Sequence, residues 1–249
     1  MTSLVLVHGI TESKQSWAPL IEPLSKDADG QPRTLLNVDL RGHGGATRTP
    51  PFDLVTMATD VIAELSAASI DPADAVIIGH SLGGTVVTAM ASVMPFRGVI
   101  NVDQPLKLAD FQAGLQQLEP MLRGDTDTFV AAIGMVFDAM RGPLPDAEFE
   151  RISTLRQPEQ DVVLGVWDPV LTLTTEELDA MVDGMAAAIT SPYLSLHGID
   201  PGPGYDDWLH GLIPGAEVEI WADHGHYPHL VDPDRFVARV NAFVDSVTV

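Results

Sequence analysis

The sequence contains no cysteine and few positively charged residues. Without cysteine there is no disulfide, no catalytic thiolate and no cysteine-based zinc site, so packing alone must hold the fold. Lysine and arginine number 13 against 35 aspartates and glutamates, which gives a net charge of −22. A charge of this sign and size is repelled by phosphate-rich and anionic surfaces. We therefore expect neither nucleic acid nor a membrane as a partner.

Targeting signals are also lacking. The first positive residue is Lys14, and the apolar run from Leu4 to Val7 is too short for the core of a signal peptide. We expect no export signal and a cytoplasmic location, which also fits the absence of cysteine. One stretch, Ala75 to Phe96, has 22 residues without a formal charge, which is long enough to resemble a membrane span. A glycine-rich turn inside it favours a buried strand followed by a buried helix instead.

What is present is a folded α/β chain. Its 249 residues are 45% apolar, with 21 glycines and 19 prolines, which fits one large domain with many turns. Short β-branched runs alternate with helical segments, a pattern typical of a mostly parallel sheet flanked by helices. We predict about six strands, at Ser3 to Val7, Arg33 to Val38, Ala75 to Ile78, Gly98 to Val102, Pro192 to Leu196 and Ala216 to Trp221. Helices are expected near Lys14 to Ser25, Asp53 to Ser66, Leu82 to Met94, Tyr205 to Leu212 and Asp232 to Val247.

A long segment without strands interrupts this pattern. About ninety residues separate the fourth predicted strand from the fifth, more than a simple crossover needs. The segment contains helix-start signals at Asp125, near Pro145 and at Thr174, where Glu177 completes the spacing of a capping box. We therefore predict a core of residues 1–104 and 191–249 and an inserted helical cap of residues 105–190.

Gly79-His80-Ser81-Leu82-Gly83 lies between a predicted strand and a predicted helix. In that context the glycines permit a sharp turn that lifts a serine hydroxyl above the sheet. The helix that begins at Leu82 offers a free backbone amide to negative charge. Serine is a weak nucleophile at neutral pH, so Ser81 needs a base within hydrogen-bond reach and a group that orients the base.

Eight histidines could supply that base. Those next to a glycine at a strand end are expected to be structural, and His210 lies on a predicted helix and is expected at the surface. The first group comprises His8, His43, His80 and His197. The loop between the last strand and the last helix carries the remaining three, His224, His226 and His229. Together these could bind zinc, but no metalloprotease motif accompanies them, so we predict no metal site.

Five loop motifs follow strand ends in a characteristic order. They are His8-Gly9-Ile10, Asp39 to Gly44, Gly79 to Gly83, Leu196 to Asp200, and Gly225-His226 with Pro228 and Asp232-Pro233. In this order they resemble the motifs of the α/β-hydrolase fold family, over the whole chain outside the insertion. The resemblance implies that Ser81 is the nucleophile and His226 the base. It also implies that the backbone amides of Ile10 and Leu82 form the oxyanion hole.

The acidic member of the triad departs from the family pattern. The family usually places an aspartate three residues after the loop glycine, but here that position is Pro201, and Asp200 comes one residue early. We take Asp200 as the first candidate and Asp103, at the end of the fourth predicted strand, as the alternative, with Asp206 a remote third.

These roles imply acyl transfer to water without a cofactor. The expected reaction is hydrolysis of an ester or lactone of a small neutral substrate through an acyl-enzyme, with the insertion shaping the pocket. The resemblance also allows a carbon–carbon bond hydrolase, a cofactor-free haloperoxidase-like enzyme, or a small-molecule binding protein with little turnover. A small-molecule substrate is thus the expected partner, and a homodimer is compatible with the sequence.

The negative charge is unevenly distributed. Between Gln157 and Asp234, 78 residues contain no lysine or arginine but 15 aspartates and glutamates, so this segment carries −15 of the net −22. It includes the loops of Asp200 and His226. We expect anionic substrates to be disfavoured relative to neutral or cationic ones, most visibly at low ionic strength.

Overall fold

A computed structural model describes residues 2–247; Met1 and the last two residues of the predicted core, 248 and 249, lie outside the described range. The centre of the molecule is a six-stranded, fully parallel sheet with strand order β2-β1-β3-β4-β5-β6. The strands are β1 Ser3–Val7, β2 Leu35–Val38, β3 Ala75–His80, β4 Gly98–Val102, β5 Tyr193–His197 and β6 Glu217–Ile220. All six lie where the sequence predicts them, which confirms the α/β fold.

Helices cover both faces of the sheet. Those associated with the sheet are α1 Ala18–Leu24, α2 Leu54–Ala67, α3 Leu82–Val93, α9 Tyr205–Leu212, α10 Pro228–Val231 and α11 Pro233–Ser246, with short 3-10 helices at Lys14–Trp17 and Pro72–Asp74. Five more lie between β4 and β5, namely α4 Ala109–Leu122, α5 Thr126–Met140, α6 Asp146–Leu155, α7 Gln160–Thr172 and α8 Thr175–Ala187. We call Ala109–Ala187 the inserted helices.

Side chains alternate between the two faces along the buried strands. In β1, Val5 and Val7 belong to the apolar cluster that includes side chains of α2, α3 and α9, whereas Leu4 and Leu6 belong to the cluster that includes side chains of α1 and α11. The first of these apolar clusters continues into the inserted helices, where Phe129 and other large side chains are fully buried. The inserted helices therefore share a continuous core with the sheet rather than forming a separate one.

Helix boundaries follow the capping signals where such signals exist. Asp125 accepts the Thr128 amide at the start of α5, and Thr174 and Glu177 form the predicted capping box at the start of α8. By contrast, α4 and α7 begin without a side-chain cap, which explains why the sequence shows no start signal for them.

The uncharged stretch from residue 75 to 96 divides as expected into strand β3 and helix α3, joined at Ser81. Within residues 2–247, no helix combines the length and the apolar character that crossing a bilayer requires. Because the strands are parallel, the carboxyl ends of β1, β3, β4 and β5 lie along one edge of the sheet, and the loops with the candidate residues begin there.

Candidate active site

Ser81 stands on a strained turn between β3 and α3. Its backbone has φ 53° and ψ −123°, a conformation that costs free energy for a residue with a Cβ. The two flanking glycines make the turn possible. A Cβ on Gly79 would lie 2.0 Å from the Gly83 carbonyl oxygen, and a Cβ on Gly83 would lie 2.2 Å from the Val7 carbonyl oxygen. The sequence Gly-x-Ser-x-Gly is therefore required here by close backbone packing.

His226 is oriented by Asp103. Its Nδ1 lies 2.7 Å from Asp103 Oδ2, and both side chains are almost fully buried. A neutral imidazole that donates from Nδ1 has its lone pair on Nε2. Nε2 of His226 has no hydrogen-bond partner among residues 2–247, although it is buried. This is the arrangement that a general base needs when the group it deprotonates is on the Nε2 side.

Asp103 is itself held in place by backbone amides. Its Oδ1 accepts from the amides of Gly198 at 2.7 Å and Ile199 at 3.1 Å. Asp103 adopts φ 50° directly after β4, and its own amide donates to Leu196 in β5. Burial raises the pKa of Asp103, but the hydrogen bond and charge of His226, with the Ile199 amide, outweigh it and leave the pKa lowered. The carboxylate is therefore ionised at neutral pH.

The expectation that Asp200 contacts His226 is wrong. Asp200 is exposed, and its Oδ1 accepts from the Gly202 amide two residues later, at 2.8 Å. Asp206, the remote third candidate, lies 3.0 Å from His210 instead. It is Asp103 that contacts His226, and Asp103 also accepts from two amides of the loop after β5, the loop that carries Asp200.

The predicted oxyanion loop passes directly over Ser81. A Cβ added to Gly9 would lie 3.3 Å from Ser81 Cβ, a tight contact that would require the serine or the loop to shift slightly. Ile10 follows in a turn closed by the Glu12 amide and the Gly9 carbonyl oxygen. Leu82 is the first residue of α3, so its amide has no acceptor within the helix. The two predicted amides thus belong to the segments on either side of Ser81.

Two neutral histidines brace this loop, as expected of structural histidines. Nε2 of His8 accepts from the Leu40 amide, and Nε2 of His43 accepts from the Thr11 amide, both at 3.0 Å. Burial lowers the pKa of His8 to about 3, and it also lowers the pKa of His43. Both rings are therefore uncharged at neutral pH, and they fix the loop after β1 to the loop after β2.

The remaining histidines have different surroundings. Nε2 of His80 donates to the His226 carbonyl oxygen at 2.7 Å, and Nε2 of His197 lies at the same distance from the Ser195 hydroxyl group. His229 is fully buried, with its ring 4.8 Å from the Trp17 ring, whereas His224 is partly exposed and contacts Ala222. Among residues 2–247, no group of three ligating side chains is arranged to hold a metal ion.

The sequence gives little sign that the inserted helices reach the loop of His226. The His226 amide donates to the Met140 carbonyl oxygen at the end of α5, at 3.0 Å. Gly142 and Gly225 both have positive φ, and a Cβ on Gly142 would lie 2.6 Å from Gly225 Cα. The only available signal for this contact is the Arg-Gly-Pro sequence that ends α5, which marks a turn but not its neighbour.

Known proteins show the same organisation. The sequence profile of the alpha/beta hydrolase family matches residues 4–239. Esterase YbfF of Escherichia coli strain K12 is 36% identical over 98% of this chain and 93% of its own length. A pimeloyl-[acyl-carrier protein] methyl ester esterase from Nitrosomonas europaea is 28% identical over 96% of this chain and 94% of its own.

Solved structures of other hydrolases have the same fold. The esterase RhEst1 from Rhodococcus sp. ECU1013 superimposes with a TM-score of 0.71 at 25% identity, covering 99% of this chain and 91% of that protein. The enol-lactonase from Burkholderia xenovorans LB400 shares the fold, with a TM-score of 0.69 at 19% identity over 98% of this chain and 91% of its own. The resemblance inferred from the five motifs is thereby confirmed. The chain belongs to the alpha/beta hydrolase family.

Proposed function

We propose that the protein is a serine esterase that hydrolyses an ester or lactone of a small, uncharged substrate. In this proposal Ser81 is the nucleophile, His226 the general base and Asp103 the acid that orients it. The amides of Ile10 and Leu82 form the oxyanion hole. The observation that carries the proposal is the 2.7 Å contact of Asp103 with Nδ1 of a buried histidine whose Nε2 is left without a partner.

The reaction follows from these positions. Ser81 Oγ attacks the ester carbonyl carbon while His226 Nε2 takes its proton, and the imidazolium that forms is stabilised by ionised Asp103. The developing oxyanion accepts hydrogen bonds from the two amides, each worth roughly a hundredfold or more in rate. His226 then gives its proton to the leaving alcohol. Water enters, is deprotonated by the same nitrogen and releases the acid from Ser81.

The names of the relatives support ester cleavage. YbfF, at 36% identity, is called an esterase, and the Nitrosomonas protein is called a methyl ester esterase. Both align over almost the whole chain, so the inserted helices are included in the similarity. We propose that these helices act as a cap that bounds the substrate pocket. A cytoplasmic location remains a prediction.

The charges of the inserted helices favour a neutral substrate. Three of their arginines are paired with neighbouring carboxylates, which leaves them poorly placed to attract an anion. The pairs are Arg123 with Glu119, Arg141 with Asp146 and Arg151 with Glu148. Together with the acidic segment from residue 157 to 234, this arrangement supports the proposal that uncharged esters are preferred.

The test compares the wild type with Ser81→Ala on nitrophenyl esters of acetate, butyrate and octanoate. We expect a wild-type rate that falls by several orders of magnitude in Ser81→Ala. Ser66→Ala, which changes an exposed serine at the end of α2, is the matched control and should keep the full rate. Equal, negligible hydrolysis by all three proteins would contradict the proposal and favour a binding protein of this fold.

A further inference from the structure

A buried acidic side chain lies beside the proposed catalytic machinery without belonging to it. Glu12 is only 2% exposed, and its amide closes the turn that carries Ile10. The Glu12 Cδ atom lies 3.6 Å from the position of a Cβ on Gly9, the residue that covers Ser81. Burial raises the pKa of Glu12. A buried carboxyl group in such a place requires hydrogen bonds or a balancing charge.

Tyr227 supplies the hydrogen bond. Its hydroxyl group donates to Glu12 Oε1 at 2.9 Å, and its side chain is fully buried. Tyr227 directly follows His226 in the chain, and the two rings meet edge to face with centroids 5.3 Å apart. The same ring lies 5.0 Å from the ring of His80, the neighbour of Ser81. The bond to Glu12 thus joins the oxyanion turn to the loop of the proposed base.

The Tyr227 hydroxyl group also accepts from a basic side chain of the inserted segment. Arg156, the residue directly after α6, donates from Nη2 to the Tyr227 hydroxyl at 3.1 Å. Its guanidinium also stacks on Phe137, 4.2 Å from the ring centroid. Among residues 2–247, Glu12 and Arg156 form no direct ion pair. The phenol lies between them, donating to one and accepting from the other, as a hydroxyl group can.

We propose a positioning network that consists of Glu12, Tyr227 and Arg156. This network fixes the position of His226 relative to the turn that carries Ile10. Arg156 is then a positioning residue, through which the position of the inserted helices relative to the His226 loop affects the chemical step. The inference rests on the proposed function only for its kinetic readout, because the contacts belong to the fold itself. None of the three side chains is assigned a contact with the reacting atoms.

The kinetic test introduces Arg156→Met into the wild type and into the Glu12→Gln variant, and measures kcat and KM in each background. Removing the guanidinium should lower kcat for nitrophenyl butyrate about tenfold, or ~1.4 kcal/mol, with KM changed less than threefold. Glu12→Gln removes the carboxyl end of the network, so in that background the same substitution should lower kcat less than about threefold. Arg156→Lys should recover most of the loss. Arg151→Met is the matched control, because Arg151 ties α6 to the Gln15 and Ser16 carbonyl oxygens instead, and its kcat should stay within twofold.

Equal effects of Arg156→Met in the two backgrounds would overturn the network, as would a change confined to KM, which would indicate contact with substrate. A second readout does not depend on turnover. In ¹⁵N-histidine-labelled protein, the resonance of the His226 Nδ1 proton should shift in Arg156→Met and in Tyr227→Phe but not in Arg151→Met. An unshifted resonance in the first two variants would refute the inference even if the protein is an esterase. A shift in a protein without esterase activity would refute only the proposed function.

Discussion

Replacing Asp103 by asparagine tests the geometry of the site most directly. Oδ1 of Asp103 accepts from two backbone amides, and those amides can be satisfied only by an oxygen atom. An asparagine must therefore keep its oxygen on Gly198 and Ile199 and turn its NH₂ group toward His226. Nδ1 of His226 must then accept, which moves the ring proton to Nε2. In that tautomer His226 cannot take the proton of Ser81.

The expected loss is large because the wrong tautomer removes the base altogether. A change of this kind lowers kcat on the order of 10⁴-fold in a serine triad, which corresponds to ~5.4 kcal/mol of lost transition-state stabilisation. Asp200→Asn is the matched control, because Asp200 is exposed and accepts a hydrogen bond from the Gly202 amide within its own loop. We expect its kcat to remain within about twofold of the wild type.

The assay is steady-state hydrolysis of nitrophenyl butyrate, with thermal denaturation of each variant to show that it is folded. Asp103→Asn should unfold near the wild-type temperature, since all hydrogen bonds of the side chain except the one to His226 keep their geometry. If Asp103→Asn retained more than a tenth of the wild-type kcat, or if Asp200→Asn lost more than tenfold, the assignment of the acid to Asp103 would be refuted.

Three further predictions concern stability and substrate charge. Gly83→Ala should lower the free energy of unfolding in urea by ~1–3 kcal/mol, because its Cβ would meet a β1 carbonyl oxygen at 2.2 Å; Gly114→Ala, with no atom within 4 Å, should not lower it. Burial lowers the pKa of His8 to about 3 and of His197 to about 4, from 6.5 when unfolded. As the pH drops, the unfolded chain therefore binds protons at these histidines before the folded protein does. The free energy of unfolding should fall between pH 6.5 and 4, by up to ~1.4 kcal/mol per pH unit for each histidine. Equal urea midpoints at pH 7 and pH 5 would contradict this prediction. Nitrophenyl hemisuccinate should have a lower kcat/KM than the butyrate ester, with the gap narrowing as salt is added; a faster hemisuccinate at low salt would show the opposite preference.

The sequence predicted the strands and the order of the loops well, because hydrophobic period and glycine-rich turns are local signals. It could not decide between Asp200 and Asp103. Both follow adjacent parallel strands, so both end at the same edge of the sheet. The choice depends on the positive φ of Asp103 and on its hydrogen bonds with the amides of Gly198 and Ile199. Neither feature can be predicted from the spacing of residues in the sequence. Family spacing favoured Asp200, and tertiary geometry overrode it.

Backbone strain locates the site independently of any motif. Residues other than glycine rarely adopt positive φ, and the free energy this costs tends to be retained where function requires it. Five such residues occur within residues 2–247, and among them only Ser69, after α2, lies away from the edge formed by the carboxyl ends of the strands. The other four follow β1, β3, β4 and β6, and they are Thr11, Ser81, Asp103 and Asp223. Asp200 is not among them. The strained positions therefore coincide with the predicted oxyanion loop, the proposed nucleophile, the proposed acid and the loop that carries His226.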